Sequence, residues 1–152
     1  MTIYIVPATV AHAEAMAGRL RAADSAEIAA AAFMDERTAL VRSVEQSMDA
    51  WTALEGGKPI AMWGVGSPGL FDQTGRIWLL TCPDVERHRK QILRQSRAFV
   101  ARARGMFLVL ENVVDARYAG AVRLLRWLGF TVFPPQPYGP NDAMFCYFRL
   151  GE

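Results

Sequence analysis

Two cysteines and two histidines in 152 residues leave little material for disulfide or metal chemistry. Cys82 and Cys146 cannot build a disulfide framework. With His12 and His88 they also lack the clustered four-ligand spacing of a structural zinc site, so no metal is expected. No apolar run approaches the ~20 residues needed to span a bilayer, and no membrane partner is expected. Met1 to Val6 has no basic flank of the kind that opens a signal peptide and reads as a short strand. These absences imply a soluble intracellular protein with both thiols free and reduced. No basic run is interleaved with aromatics, which argues against nucleic acid as a partner. No internal repeat, low-complexity linker or compositional shift divides the chain. With 52% hydrophobic and 21% charged residues, it suits one domain over residues 1–152, able to bury about two thirds of its unfolded surface.

What is present is unevenly distributed. Residues 1–75 hold five Lys/Arg against nine Asp/Glu, whereas residues 76–152 hold twelve against six. The net charge of +2 therefore hides a basic C-terminal half, suited to an anionic ligand such as a nucleotide cofactor, to nucleic acid, or simply to solubility.

Periodicity supplies the elements. Thr2 to Val6 alternates and is β-branched, and Thr9 is placed to N-cap an Ala-rich helix over Val10 to Ala23. A second short helix is expected over Ala26 to Ala32 and a third from Asp35 to Met48. Trp51–Leu54 and Pro59–Val65 flank Gly56-Gly57 as a hairpin, and Gly64, Gly66, Pro68 and Gly69 mark a turn before a strand over Arg76–Thr81. The longest helical pattern runs from Asp84 to Arg104, with Ile92, Ser96, Phe99 and Ala103 facing inward, and Gly105 ends it. Met106–Val114 reads as a central strand, Ala116–Leu128 as a helix closed by Gly129, and Phe130–Phe133 and Ala143–Leu150 as strands around a stiff Pro134–Asp142 loop. Pro134-Pro-Gln-Pro137 fits a stiffened connection, and the four tryptophans fit core or sheet-face positions. The order β-α-α-(α)-β-β-β-α-β-α-β-β implies an α/β (α+β) fold with a mixed sheet between helices.

That order, with Ala121-Val-Arg-Leu-Leu-Arg-Trp-Leu-Gly-Phe130 near its end, resembles the GNAT superfamily of acetyl-CoA-dependent N-acetyltransferases over essentially the whole chain. The segment is similar to that family's last helix, N-x-x-A-x-x-x-Y-x-x-x-G-F. Trp78-Leu-Leu-Thr81, Glu86-Arg-His-Arg-Lys90, Asn112-Val-Val-Asp-Ala-Arg117 and Arg123-Leu-Leu-Arg-Trp-Leu-Gly-Phe130 are together similar to a GNAT-like family of tailed phages and prophages. The opening Ile5–Val10 and the stretch Ala22–Ile28 look like it too. The small internal virion protein of T7-type phages belongs to that family. The resemblance implies a mostly antiparallel sheet of six or seven strands, acetyl-CoA as a possible cofactor, and Leu80 and Thr81 against it. In its phage form it implies other virion proteins as partners and a place in the host cytoplasm or the virion.

Several positions depart from the enzyme pattern. The family's phosphate loop, Q/R-x-x-G-x-G/A, brings main-chain N–H groups against a pyrophosphate, and glycine keeps Cβ atoms out of the way. Here the stretch Val85–Ile92 has no glycine, and Arg87, His88, Arg89 and Lys90 are left to meet phosphate through side chains or to form a solvated basic turn. Leu125 stands at the family's tyrosine and cannot transfer a proton. Tyr118 falls two turns from it, and Tyr138 reaches the site only if its Pro-rich loop folds over. A base that deprotonates an amine is sought among Glu111, Asp115, Asp24 and Glu27. Glu111, which interrupts an apolar strand, is either a carboxyl raised by burial or a partner for an arginine at the splayed sheet edge. Asp115 is either the base or the cap of the helix beginning near Ala116. His12 is expected in solvent, and Cys82 is either a buried inert thiol or a group near the transferred acetyl. Two main functions follow: a phage or prophage scaffold with a degenerate cofactor site, or an acetyl-CoA-dependent N-acetyltransferase. A third is an acyl-CoA or nucleotide binder without chemistry.

Overall fold

A computed structural model describes residues 2–32, 34–67, 69 and 73–151. Pro68, assigned to a turn from the sequence, lies outside the described residues. Strand β1 (Ile3–Pro7) leads to helices α1 (Val10–Met16), α2 (Ala22–Ala31) and α3 (Glu36–Gln46). Strands β2 (Ser47–Glu55), β3 (Lys58–Gly66) and β4 (Thr74–Thr81) follow, then a 3₁₀ turn (Pro83–His88) and α4 (Arg89–Arg104). The chain closes with β5 (Val109–Asp115), α5 (Ala119–Trp127), β6 (Thr131–Val132), β7 (Gln136–Tyr138) and β8 (Ala143–Gly151). The sheet has eight strands, ordered β1-β2-β3-β4-β5-β8-β6 with β7 also on β8, where six or seven were expected. The addition is β7, inside the segment read as a loop, which pairs with Ala143–Phe145. Every pairing is antiparallel except β4–β5.

The sheet separates two apolar layers. Trp63, Val65, Ile77 and Leu79 face α4 and α5, meeting Ile92, Phe99, Val100 and Leu125. Met62, Trp78 and Leu80 face the other way, toward α1 and α3, meeting Ala13, Met16 and Leu40. The one-residue alternation of β3 and β4 therefore feeds both layers.

Element ends moved where local chemistry overrode periodicity. Thr9 caps α1 as expected, with its hydroxyl accepting from the His12 N–H at 3.1 Å. His12, expected in solvent, is partly exposed and also has a local role: its Nδ1 accepts the Thr9 N–H at 3.2 Å and completes the box. Helix α1 stops at Met16, since Gly18 takes φ +82°. Helix α2 starts at Ala22 rather than Ala26, because the Arg21 N–H bonds the Thr81 carbonyl at 2.9 Å. The long pattern from Asp84 begins as 3₁₀ and becomes α-helical only at Arg89. Gly64 lies within β3, not in a turn, where a Cβ would stand 2.9 Å from the Asp49 carbonyl across a bulge in β2. Helix α5 begins at Ala119 behind Tyr118, so Asp115 is not its cap.

Candidate active site in the β4–β5 wedge

Parallel strands that pair briefly and then part leave an opening. β4 and β5 pair only over Thr74–Arg76 and Val109–Glu111. Asn112 Nδ2 then reaches across to the Ile77 carbonyl at 2.8 Å, and beyond it the strands diverge. Main-chain groups alternate sides along a strand, so Ile77, Leu79 and Thr81 all turn theirs toward the gap. Ile77 is held by Asn112 and Thr81 by α2. Leu79, between them, has no main-chain partner on that edge among the described residues. On the α4–α5 side the gap opens into an apolar cleft of about 90 Å³, lined by Ile77, Leu79, Ser96, Phe99, Leu124 and Leu125 among others.

Helix α2 crosses the strand ends and brings acids with it. Asp24 is 5% exposed, and its Oδ2 accepts from the Thr81 N–H at 3.1 Å and from the Thr81 hydroxyl at 2.7 Å. Burial raises its pKa, and the Thr81 hydrogen bonds pull part of that back. Glu27, one turn later on the same helix, is pushed up to about 7 by burial and then by the Asp24 charge, with the Asp115 main chain opposing the rise. The Tyr118 phenol interacts with Asp24 and Thr81 and is pushed up to about 12, chiefly by burial and next by the Asp24 charge. Four polar groups thus converge at the C-terminal ends of β4 and β5, where the strands have parted, with Glu27 pushed up to about 7.

Of the residues singled out from the sequence, Thr81 belongs to this cluster. Leu80 points to the opposite layer, against α1 and α3. Glu111 does not stand in the cluster and makes no ion pair among the described residues, although Arg76 and Arg149 are its neighbours in register; on the far sheet face it accepts a hydrogen bond from the Tyr147 hydroxyl. Asp115 is 3% exposed and held by Arg117, which donates from its N–H at 2.9 Å and from Nη2 at 2.7 Å. The guanidinium keeps that carboxyl below the usual range, which makes it a poor base. Tyr138 packs against Phe145, with ring centres 5.2 Å apart and planes tilted by 48°, and lines a separate cavity of about 320 Å³ with Val113, Phe133 and Tyr147. Cys82 is fully buried, and burial raises its thiol.

The basic turn divides. Arg87 and His88 both bind Glu55 at the end of the β2–β3 hairpin, and Arg87 also reaches Asp84 at 3.2 Å. Lys58 joins Asp84 at 3.4 Å. Arg87 and His88 are therefore engaged, while Arg89 and Lys90 are exposed at the start of α4 with no ion pair among the described residues.

An unpaired strand edge beside an apolar cleft fits an extended, amide-bearing thioester arm, the shape of the pantetheine half of acetyl-CoA. The phosphate half fits differently. The 3₁₀ turn puts six residues without glycine ahead of α4, so Arg89 and Lys90 side chains, not bare peptide nitrogens, are what a diphosphate would meet.

No protein-family model and no curated protein matches the chain. Solved structures do. An acetyltransferase of the GNAT family from Streptococcus pneumoniae is similar with a TM-score of 0.69 at 13% identity, covering 98% of this chain and 99% of that one. An N-acetyltransferase from Staphylococcus aureus Mu50 gives 0.72 at 16% identity, covering 99% of each chain. The candidate acetyltransferase yncA from Salmonella typhimurium, solved with acetyl-CoA, gives 0.67 at 19% identity, covering 99% of this chain and 94% of that one. At such identities the likeness establishes the GNAT fold.

Proposed function

We propose that this protein is an acetyl-CoA-dependent N-acetyltransferase in which Glu27 is the general base. The observation that carries the reading is the convergence of Asp24, Glu27, Thr81 and Tyr118 at the mouth of the β4–β5 wedge, with Glu27 at a pKa of about 7. An amine acceptor is protonated at neutral pH and must lose a proton before it can attack a carbonyl. A carboxylate near 7 is ionised enough to act and far more basic than an ordinary glutamate. Asp24, locked to Thr81, fixes α2 against the strand ends and adds the charge that keeps Glu27 basic. Tyr118 retains its phenolic proton at neutral pH and offers it to negative charge developing at the mouth. Acetyl-CoA, when bound, supplies the acetyl group as a thioester; Leu79, Ser96 and Leu125 would line its arm, and Arg89 and Lys90 would face its phosphates.

The test is CoA release on presentation of primary amines. Glu27→Gln should lower kcat at least ~100-fold while leaving acetyl-CoA affinity within twofold, and wild-type kcat/KM should rise through an apparent pKa near 7. Full activity in Glu27→Gln would remove the base from this account.

A second reading is the scaffold that the phage resemblance implied, acting in virion assembly or the particle interior. It draws on the glycine-free turn, on Leu125 lining the cleft, and on the capture of Arg87 and His88 by Glu55. No acetyl-CoA binding, with an intact fold, is its expected result.

A further inference from the structure

We propose that the outer face of α4 and α5 binds single-stranded nucleic acid, with arginines on the phosphates and Trp127 as a stacking platform. This goes beyond the acetyltransferase reading and does not depend on it. The sixteen residues of α4 and nine of α5 contain eight Lys/Arg and no Asp or Glu, so the acidic excess that brings the whole chain to +2 lies elsewhere. Solvated helix faces ordinarily mix signs, and a surface of one sign attracts polyanions.

The cations share one surface. Lys90, Arg94, Arg97 and Arg104 repeat at helical spacing opposite the buried Ile92, Phe99 and Ala103. Arg123 and Arg126 occupy the exposed side of α5, whose Leu124 and Leu125 turn inward. The helices meet where the Arg97 guanidinium lies 4.0 Å from the centre of the Trp127 ring, and Trp127 is 47% exposed. Arg102 is committed to Asp49 at 2.6 Å, but these six cations have no acidic partner among the described residues.

Five of the six are arginines, whose planar fork suits phosphate oxygens. From Lys90 to Arg104 the stripe runs ~21 Å, longer than a mononucleotide. Its half-exposed aromatic centre among the arginines gives unpaired bases a ring on which to stack. Along the sequence these features are separate: the arginines stand on one helix and the tryptophan on another, and only packing interleaves them.

The test is fluorescence anisotropy of the full chain with a labelled oligothymidylate dodecamer. Four phosphate contacts predict that affinity falls about 50-fold between roughly 50 and 200 mM salt. Trp127→Ala should weaken binding at least ~fivefold, Trp127→Phe should restore most of it, and Arg94→Glu with Arg97→Glu should abolish it. Arg102→Gln should change it less than twofold. Thermal melts confirm that each variant is folded. The proposal is overturned by no binding up to ~100 μM protein at the lower salt, or by polyglutamate competing as well as the oligonucleotide with Trp127→Ala inert.

Discussion

A glutamate held at a pKa of about 7 is kept at the expense of stability. The sign follows from linkage: burial raises the folded-state value above the ordinary 4.5, so the folded protein is favoured with Glu27 protonated. That contribution is complete below about pH 4.5 and is lost as pH rises through about 7. Replacing the group by its uncharged isostere should therefore stabilise the protein only at high pH. Glu27→Gln is expected to gain about 2 kcal/mol at pH 8 in urea unfolding, after discounting for partial solvent access, and almost nothing at pH 4. A loss at pH 8 would show that the carboxylate is held by favourable contacts and is no poised base. The same residue shows where sequence reading faltered. Asp24 and Glu27 were visible as carboxylates, yet a helix drawn from Ala26 left Asp24 outside it. Starting at Ala22, the helix carries both acids one turn apart, and the N–H that fixes this start bonds a carbonyl sixty residues away in sequence. Glu111 drew attention because it interrupts an apolar strand, but alternation alone did not show that its face of the sheet lies open and offers the Tyr147 hydroxyl.

Elements, rather than residues, hold the site in place. Helix α2 is pinned at one end by Arg21 and Asp24 on Thr81 and approached at the other by the loop after β7. There Gly139, at φ +79°, comes so near that an added Cβ would stand 2.5 Å from the Ala30 carbonyl. Gly139→Ala should cost about 1–3 kcal/mol in unfolding experiments and lower transferase activity by shifting α2. Unchanged stability would mean that the loop yields freely and does not brace the helix. The β2–β3 hairpin governs the other side of the wedge, where Glu55 holds Arg87 and His88. Glu55→Gln should free both for phosphate, tightening CoA binding in calorimetry while lowering the melting temperature. Weaker CoA binding would indicate that the hairpin shapes the phosphate site instead of masking Arg87 and His88. The sequence disclosed the basic residues of this turn but not their engagement, because Glu55 lies more than thirty residues away and only the antiparallel pairing of β2 with β3 brings the hairpin end to the turn.

On the scale of the whole molecule, fold order was the most legible property. Periodicity placed each helix and all but one strand, since those patterns are local and repeat over many residues. β7 escaped because three residues with Pro137 in the middle carry no alternation to detect. The wedge is a global feature: it exists because β4 and β5 must run parallel after a helical crossover while every other pair is antiparallel, and they separate after three residues. An unpaired Leu79 edge beside an apolar cleft is the central structural claim, and calorimetric titration with acetyl-CoA, joined to a melting curve, tests it most directly. The account predicts saturable binding and, at a hundred times the Kd, stabilisation of about 2.7 kcal/mol. No heat and no shift at millimolar acetyl-CoA, from a protein that melts cooperatively, would contradict it.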